Sequence, residues 1–113
     1  DRGFFNRVWK LTGQVLGSDT VRGRNVLELD VHKLLNPPKR FRDEGDEIAD
    51  EGALVVVDAK VRITKDGKLI PFSAIDVDYK LRVHGKFLRA NKWLEDEDGD
   101  PVPTVRAKRI FVL

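Results

Sequence analysis

Apolar and polar residues alternate along most of this chain. Trp9, Leu11, Gly13 and Val15 fall on one parity while Lys10, Thr12 and Gln14 fall on the other, which predicts a half-buried strand. Leu27, Leu29 and Val31 alternate in the same way with Glu28, Asp30 and His32. A third block sets Val55, Val57, Ala59, Val61 and Ile63 against Asp58, Lys60 and Arg62. A fourth runs from Ile75 through Val77, Tyr79, Leu81 and Val83, with Asp76, Asp78, Lys80, Arg82 and His84 on the opposite parity. Val105, Ala107, Ile110 and Val112 form the last, and their parity changes between Ala107 and Ile110, which predicts a bulge; Gly85 marks another bend or bulge. Gly17-Ser18-Asp19 and Arg22-Gly23 carry turn chemistry, and Asp66-Gly67 between alternating runs is a hairpin signal.

Helix is scarce. Only Arg42 to Glu51 can form one, and Gly45 and Gly52 limit it to about two turns. Asn36-Pro37-Pro38 interrupts what precedes it, so residues 33–52 read as one long acidic loop or short helix leaving a β scaffold. A weak internal echo groups the strands into three hairpins, each an apolar–x–small–polar–apolar run, a turn and a second apolar strand. The fold class this predicts is all-β: a small closed barrel of about six antiparallel strands, forming a single domain over residues 1–113. The glycine-bearing first strand, the Gly85-Lys86-Phe87 strand and the closing Ala107-Lys108-Arg109-Ile110-Phe111-Val112 strand resemble bacterial OB-fold domains, in particular small, often exported OB-like families. The likeness spans residues 8–112 in spacing and residue class, and it implies a binding module whose ligand face varies between members. The 33–52 excursion departs from the pattern, because the usual helix lies between the third and fourth strands.

Composition removes several chemistries. The 113 residues include no cysteine, so thiol catalysis, disulfide scaffolds and zinc or iron–sulfur sites built on cysteine are excluded. No apolar run approaches the ~20 residues of a membrane-spanning helix. The net charge of +2 conceals a lopsided distribution. Six acids lie between Asp43 and Glu51 and five between Glu95 and Asp100, with no base in either tract. These hold 11 of the 19 acids, so the rest of the chain sets 21 bases against eight acids, a net +13. Methionine is also missing, and a start at Asp1 is unsuited to simple Met removal. The expectation is the mature part of a longer precursor, or a fragment of a longer chain, that works outside the cytoplasm or is secreted, with a cytoplasmic location as the alternative.

Candidate chemistry is limited. Ser18, Ser73, His32 and His84 stand in no nucleophile elbow, and the histidines sit on the polar parity of charged strands, so the expectation is no enzyme. The glycine-rich phosphate-binding signatures are absent, and no cofactor is expected. In Asp96-Glu97-Asp98-Gly99-Asp100 an EF-hand frame fails: counted from Asp96, the glycine is fourth rather than sixth and Ala107 is twelfth. A looser carboxylate calcium cage from Asp96, Asp98 and Asp100 remains as a third reading beside a plain charged hairpin.

The basic residues carry the main expectation. Lys60, Arg62, Lys80, Arg82, Lys86, Arg106 and Lys108 form a basic strand face that recognises an anionic polymer or a protein partner. The alternative is a single-stranded nucleic-acid binder using the same face, with Phe41 and Trp93 as stacking contacts. The opening Gly3-Phe4-Phe5-Asn6-Arg7-Val8-Trp9 is too apolar for a tail and is expected to pack over a barrel end, or else to form a contact site.

Overall fold

The computed structural model describes residues 2–35 and 37–113. After a short helix α1 (Arg2–Asn6) come β1 (Trp9–Val21) and β2 (Arg24–Leu34), then α2 (Arg42–Glu51), β3 (Ala53–Val57), β4 (Arg62–Lys65), β5 (Lys68–Leu69), β6 (Lys80–Phe87) and β7 (Thr104–Val112). Successive neighbours β3-β2-β1-β6-β7 close into a five-strand ring through a parallel pairing of β3 with β7, and the β4–β5 hairpin adds two strands beyond β7. The result is a small all-β closed barrel, compatible with an OB-like barrel.

The expected six antiparallel strands are corrected in two respects. There are seven strands among the described residues, and two pairings are parallel: β3 with β7 and β4 with β7. The block from Val55 to Ile63 is two strands on the same edge of β7. Val56 lies beside Arg106 and Arg62 beside Arg109, so this edge spends six residues where β7 spends three. The surplus loops out at Asp58–Lys60, held by the Val61 N–H donating to the Asp58 carbonyl at 3.0 Å. Asp58 then sits between Arg24 (3.7 Å) and Arg106 (3.8 Å). Alternation of side chains cannot distinguish one strand from two that share an edge.

Two further boundaries move. Residues 75–79 are not strand: a 3-10 turn covers Phe72–Ala74, Asp78 takes φ 75°, Val77 is exposed, and β6 starts only at Lys80. Gly17-Ser18-Asp19 lies inside β1, where the register with β2 slips between Val15 and Gly17; only Arg22-Gly23, at φ 53° and 76°, makes the turn. Both residues of that turn, like Asp66-Gly67 at 53° and 77°, take the left-handed conformation that joins twisted strands tightly. The parity change in β7 is a bulge: Ala107 faces Gly85 and Arg109 faces His84, leaving Lys108 without a partner on β6.

The core follows the predicted parity. Trp9, Leu11 and Val15 of β1, Leu27 and Leu29 of β2, Leu81 and Val83 of β6 and Val105 and Ile110 of β7 are buried together. Each such side chain contributes about 1.5–3 kcal/mol by leaving water. One barrel end is closed by aromatic rings. Phe4 of α1 lies 5.0 Å from Trp9, 5.2 Å from Phe87 and 5.4 Å from Phe41, and the Trp9 Nε1–H donates to the Phe4 carbonyl at 2.9 Å. The apolar opening of the chain therefore packs over the barrel. The excursion forms a 3-10 turn at Lys39–Phe41 and then α2, which turns Gly45 and Ile48 inward and lies against β2. Among the described residues no helix is long and apolar enough to cross a membrane.

Candidate functional site

Register builds the first candidate surface. Lys10 of β1 pairs with His84 of β6, His84 with Arg109 of β7, and Arg109 with Arg62 of β4. Four neighbouring strands thus place cationic or titratable side chains in one outward row. The adjacent row reads Lys33, Thr12, Arg82, Phe111 and Thr64 across β2, β1, β6, β7 and β4, and Lys86 faces Arg106 on the other side. Opposed Cβ atoms in such ladders lie about 4.5–5.5 Å apart, and like charges so placed repel. Among the described residues, the ion pairs are Arg24–Asp58, Arg106–Asp58 and His32–Asp30, so Lys10, Arg62, Arg82, Lys86, Lys108 and Arg109 have no carboxylate partner.

Phe111 is the centre of this face. The Arg82 and Arg109 guanidinium carbons stand 5.0 and 4.8 Å from its ring centroid, and the His84 ring lies 5.1 Å away. Cation–π attraction thereby offsets part of the repulsion between the two arginines. Burial, and then the charges of Lys10, Arg82 and Arg109, lower the His84 pKa below the ordinary histidine value. The Nε of Arg82 and Nε2 of His84 are buried without a hydrogen-bond partner.

The residues expected from sequence divide between this face and other places. Arg62, Arg82 and Lys86 belong to it, and Lys80 lies at its edge opposite Gln14. Arg106 belongs by register but is engaged by Asp58. Lys108 is the unpaired bulge residue and exposed, and Lys60 is in the exposed turn after β3 rather than in a strand. Phe41 is 1% exposed inside the aromatic cluster, so it presents no ring face to a ligand. Trp93 is half-buried and its Nε1–H donates to the Leu88 carbonyl at 2.7 Å; it lines a pocket with residues of α1 and α2. Lys10, His84 and Arg109 complete the row. Their outward parity is visible in the sequence, but which strands adjoin is not.

A second feature lies across the ring. In the order β1-β2-β3-β7-β6, β2 stands opposite the β6–β7 pair, and beside β2 opens a groove of about 620 Å³. It is lined by nine acids and no base: Asp19, Glu28 and Asp30 from β1 and β2, Asp50 and Glu51 from the end of α2, and the four acids from Glu95 to Asp98. Folding brings the end of the first acidic tract and most of the second to the same groove.

The loop carrying Asp96, Asp98 and Asp100 is organised by its own backbone. Oδ1 of Asp96 accepts the Asp98 and Asp100 N–H groups, both at 2.9 Å, and Gly99 takes φ 81° at the tip. Among the described residues no three His, Cys, Asp or Glu side chains group in a way that could hold a metal ion. Thr104, fully buried, ties the loop's ends: its Oγ1 accepts the Leu94 N–H at 2.9 Å and donates to the Val102 carbonyl at 2.8 Å.

No family model, characterised protein or solved structure matches the chain. Function is therefore read from this geometry. Among the described residues, Lys10, Arg109 and Arg62 share one outward row without carboxylate partners, and the acidic groove lies on the far side of the ring.

Proposed function

We propose that this chain is a non-catalytic binding module, an OB-like barrel that holds an anionic partner on the outer face of β1, β6, β7 and β4. The observation that carries this reading is the row Lys10–His84–Arg109–Arg62. At ~4.8 Å per strand step the row spans about 14 Å, the reach of several charges on an extended polyanion. An incoming anion would relieve repulsion that the folded chain otherwise bears.

The OB reading is supported by the ring order, with β6 and β7 in the places of the fourth and fifth strands and β3 parallel to β7. The helix departs from that plan. Here α2 precedes the third barrel strand, and the β4–β5 hairpin occupies the connection between the third and fourth. OB-folds commonly bind oligonucleotides on the face of strands two and three, between the first and fourth loops. In this chain that region is the acidic groove, which disfavours a phosphate backbone. With Phe41 buried and Phe111 already covered by two guanidiniums, base stacking has little support either. An acidic polymer or acidic protein segment fits better than a nucleic acid.

Binding to labelled polyglutamate, heparin and single-stranded oligothymidine, measured by fluorescence anisotropy at increasing salt, tests the proposal. Affinity should fall with salt, fall further for Lys10→Glu with Arg109→Glu, and be unchanged for Arg22→Glu at the distant hairpin tip. Failure of all three probes at low ionic strength, or a double variant that binds like wild type, overturns it. Exclusive binding of the oligonucleotide transfers the face to nucleic acid.

A further inference from the structure

We propose that the pocket between α1, α2 and the segment before β7 docks a basic peptide segment carrying one apolar side chain. The pocket encloses about 250 Å³ and has an apolar floor that includes Phe5, Ile48, Trp93 and Pro103. Its volume is below the roughly 300–1,000 Å³ of a small-molecule site, so it suits a side chain rather than a whole ligand. The pocket lies at the barrel end that α1 closes, and none of its lining residues belongs to the Lys10–His84–Arg109–Arg62 row.

Charge complementarity selects the occupant. Glu44, Glu47 and Glu51 of α2 line the same pocket, because spacings of three and four residues put them on one helix face with Ile48. All three are exposed, and among the described residues none makes an ion pair. A partner's Lys or Arg would meet three carboxylates beside aromatic walls, a setting that suits cations through both Coulomb and cation–π attraction. The Phe5 ring is already engaged in this way by the chain's own Arg89, whose guanidinium lies 5.0 Å from its centroid, which leaves Trp93 as the aromatic partner for an incoming cation.

The pocket adjoins the acidic groove. Glu51 lines both it and the acidic groove, and Trp93 of the pocket is followed by Leu94 of the groove. A segment anchored by its apolar side chain at Ile48 and Trp93 can therefore run on past Glu51 into a channel lined by nine acids and no base. The end of α2 bears a local cost for this arrangement. Asp50 and Glu51 occupy its last turn, with no basic residue there, at the pole where the helix dipole disfavours negative charge. Positions that oppose local stability in this way are where functional constraint is expected.

The test uses a short fluorescent oligolysine peptide with one central leucine, and its counterpart with alanine at the centre. NMR titration should move the Trp93 indole N–H signal and the amides of α2, and the leucine peptide should bind several-fold more tightly than the alanine one. Glu47→Lys with Glu51→Lys should weaken binding about tenfold or more. The same Glu51→Lys change should leave the melting temperature equal or higher, because it removes the clash with the helix dipole. Equal affinity for the two peptides, unchanged affinity of the double variant, or no binding overturns the proposal. So does a concentration-dependent dimer in sedimentation whose interface maps to Trp93, which would assign the pocket to a second copy of the chain.

Discussion

His84 faces Arg109 directly across the ladder that joins β6 and β7. A titratable ring and a permanent cation are thus held as cross-strand neighbours, with Lys10 flanking His84 on the other side. Burial and these charges both favour the neutral imidazole. The relationship gives this row a titratable group whose surroundings can be followed.

The first consequence is a pH-dependent stability with a defined sign. Above about pH 6.5 both folded and unfolded chains hold a neutral imidazole at this position. As pH falls below that value the unfolded chain takes up its proton first, because the folded pKa is lower. Stability should therefore decline from about pH 6.5 down to the folded-state pKa and then level off. Urea unfolding of wild type and His84→Gln across this range checks it: the stability difference between the two should change with pH, and a constant difference would refute the assignment.

The same residue links to binding. An anion on the row screens His84 from Lys10, Arg82 and Arg109, so the His84 titration midpoint should rise when polyglutamate is bound. By linkage, affinity should increase as pH falls below the ordinary histidine value of about 6.5. Following the His84 ring signals by NMR with and without polyglutamate measures the shift, and a midpoint that does not move would place the anion elsewhere.

Two glycines of β1 should respond oppositely to one methyl group. A Cβ on Gly13 would run into the Asp30 carbonyl oxygen and Leu29 Cγ, whereas on Gly17 the nearest atom is Glu28 Oε2 at 4.0 Å. Gly13→Ala should cost about 1–3 kcal/mol, as overpacking does. Gly17→Ala should be neutral or stabilise by up to about 1 kcal/mol. Denaturant midpoints of the two variants decide it, and equal effects would count against the close approach of β1 and β2.

Thr104 ties the two ends of the acidic loop together. Thr104→Val keeps the shape but removes the acceptor of the Leu94 N–H and the donor to the Val102 carbonyl. The loss should be about 1–3 kcal/mol. Hydrogen exchange at the Leu94 amide should quicken more than at the β6 amides, which stay in the barrel ladder. Uniform quickening would show that the loop is not held locally.

Much of the barrel is legible in the amino-acid sequence. The parity of β1, the left-handed pairs Arg22-Gly23 and Asp66-Gly67, and the bulge between Ala107 and Ile110 all follow from rules acting within a few residues. The same rules misread 55–63 as one strand and extend β6 back to Ile75, because alternation persists through a turn whose residues happen to keep the parity. Phe41 shows the same limit: its flanking arginines suggest exposure, but a 3-10 turn rotates its ring into the barrel end.

What this sequence determined by itself is which side of each strand meets water and where most tight turns fall, since side-chain alternation and backbone sterics are local. Tertiary structure decided which strands are neighbours. It closed the ring through the parallel β3–β7 pairing, aligned Lys10, His84, Arg109 and Arg62 across four strands, and brought Asp50 and Glu51 of α2 and the acids of the 95–98 loop to one groove. The partners in those arrangements are tens of residues apart in the chain. Their meeting depends on register and core packing over the whole barrel, which no local window of sequence contains.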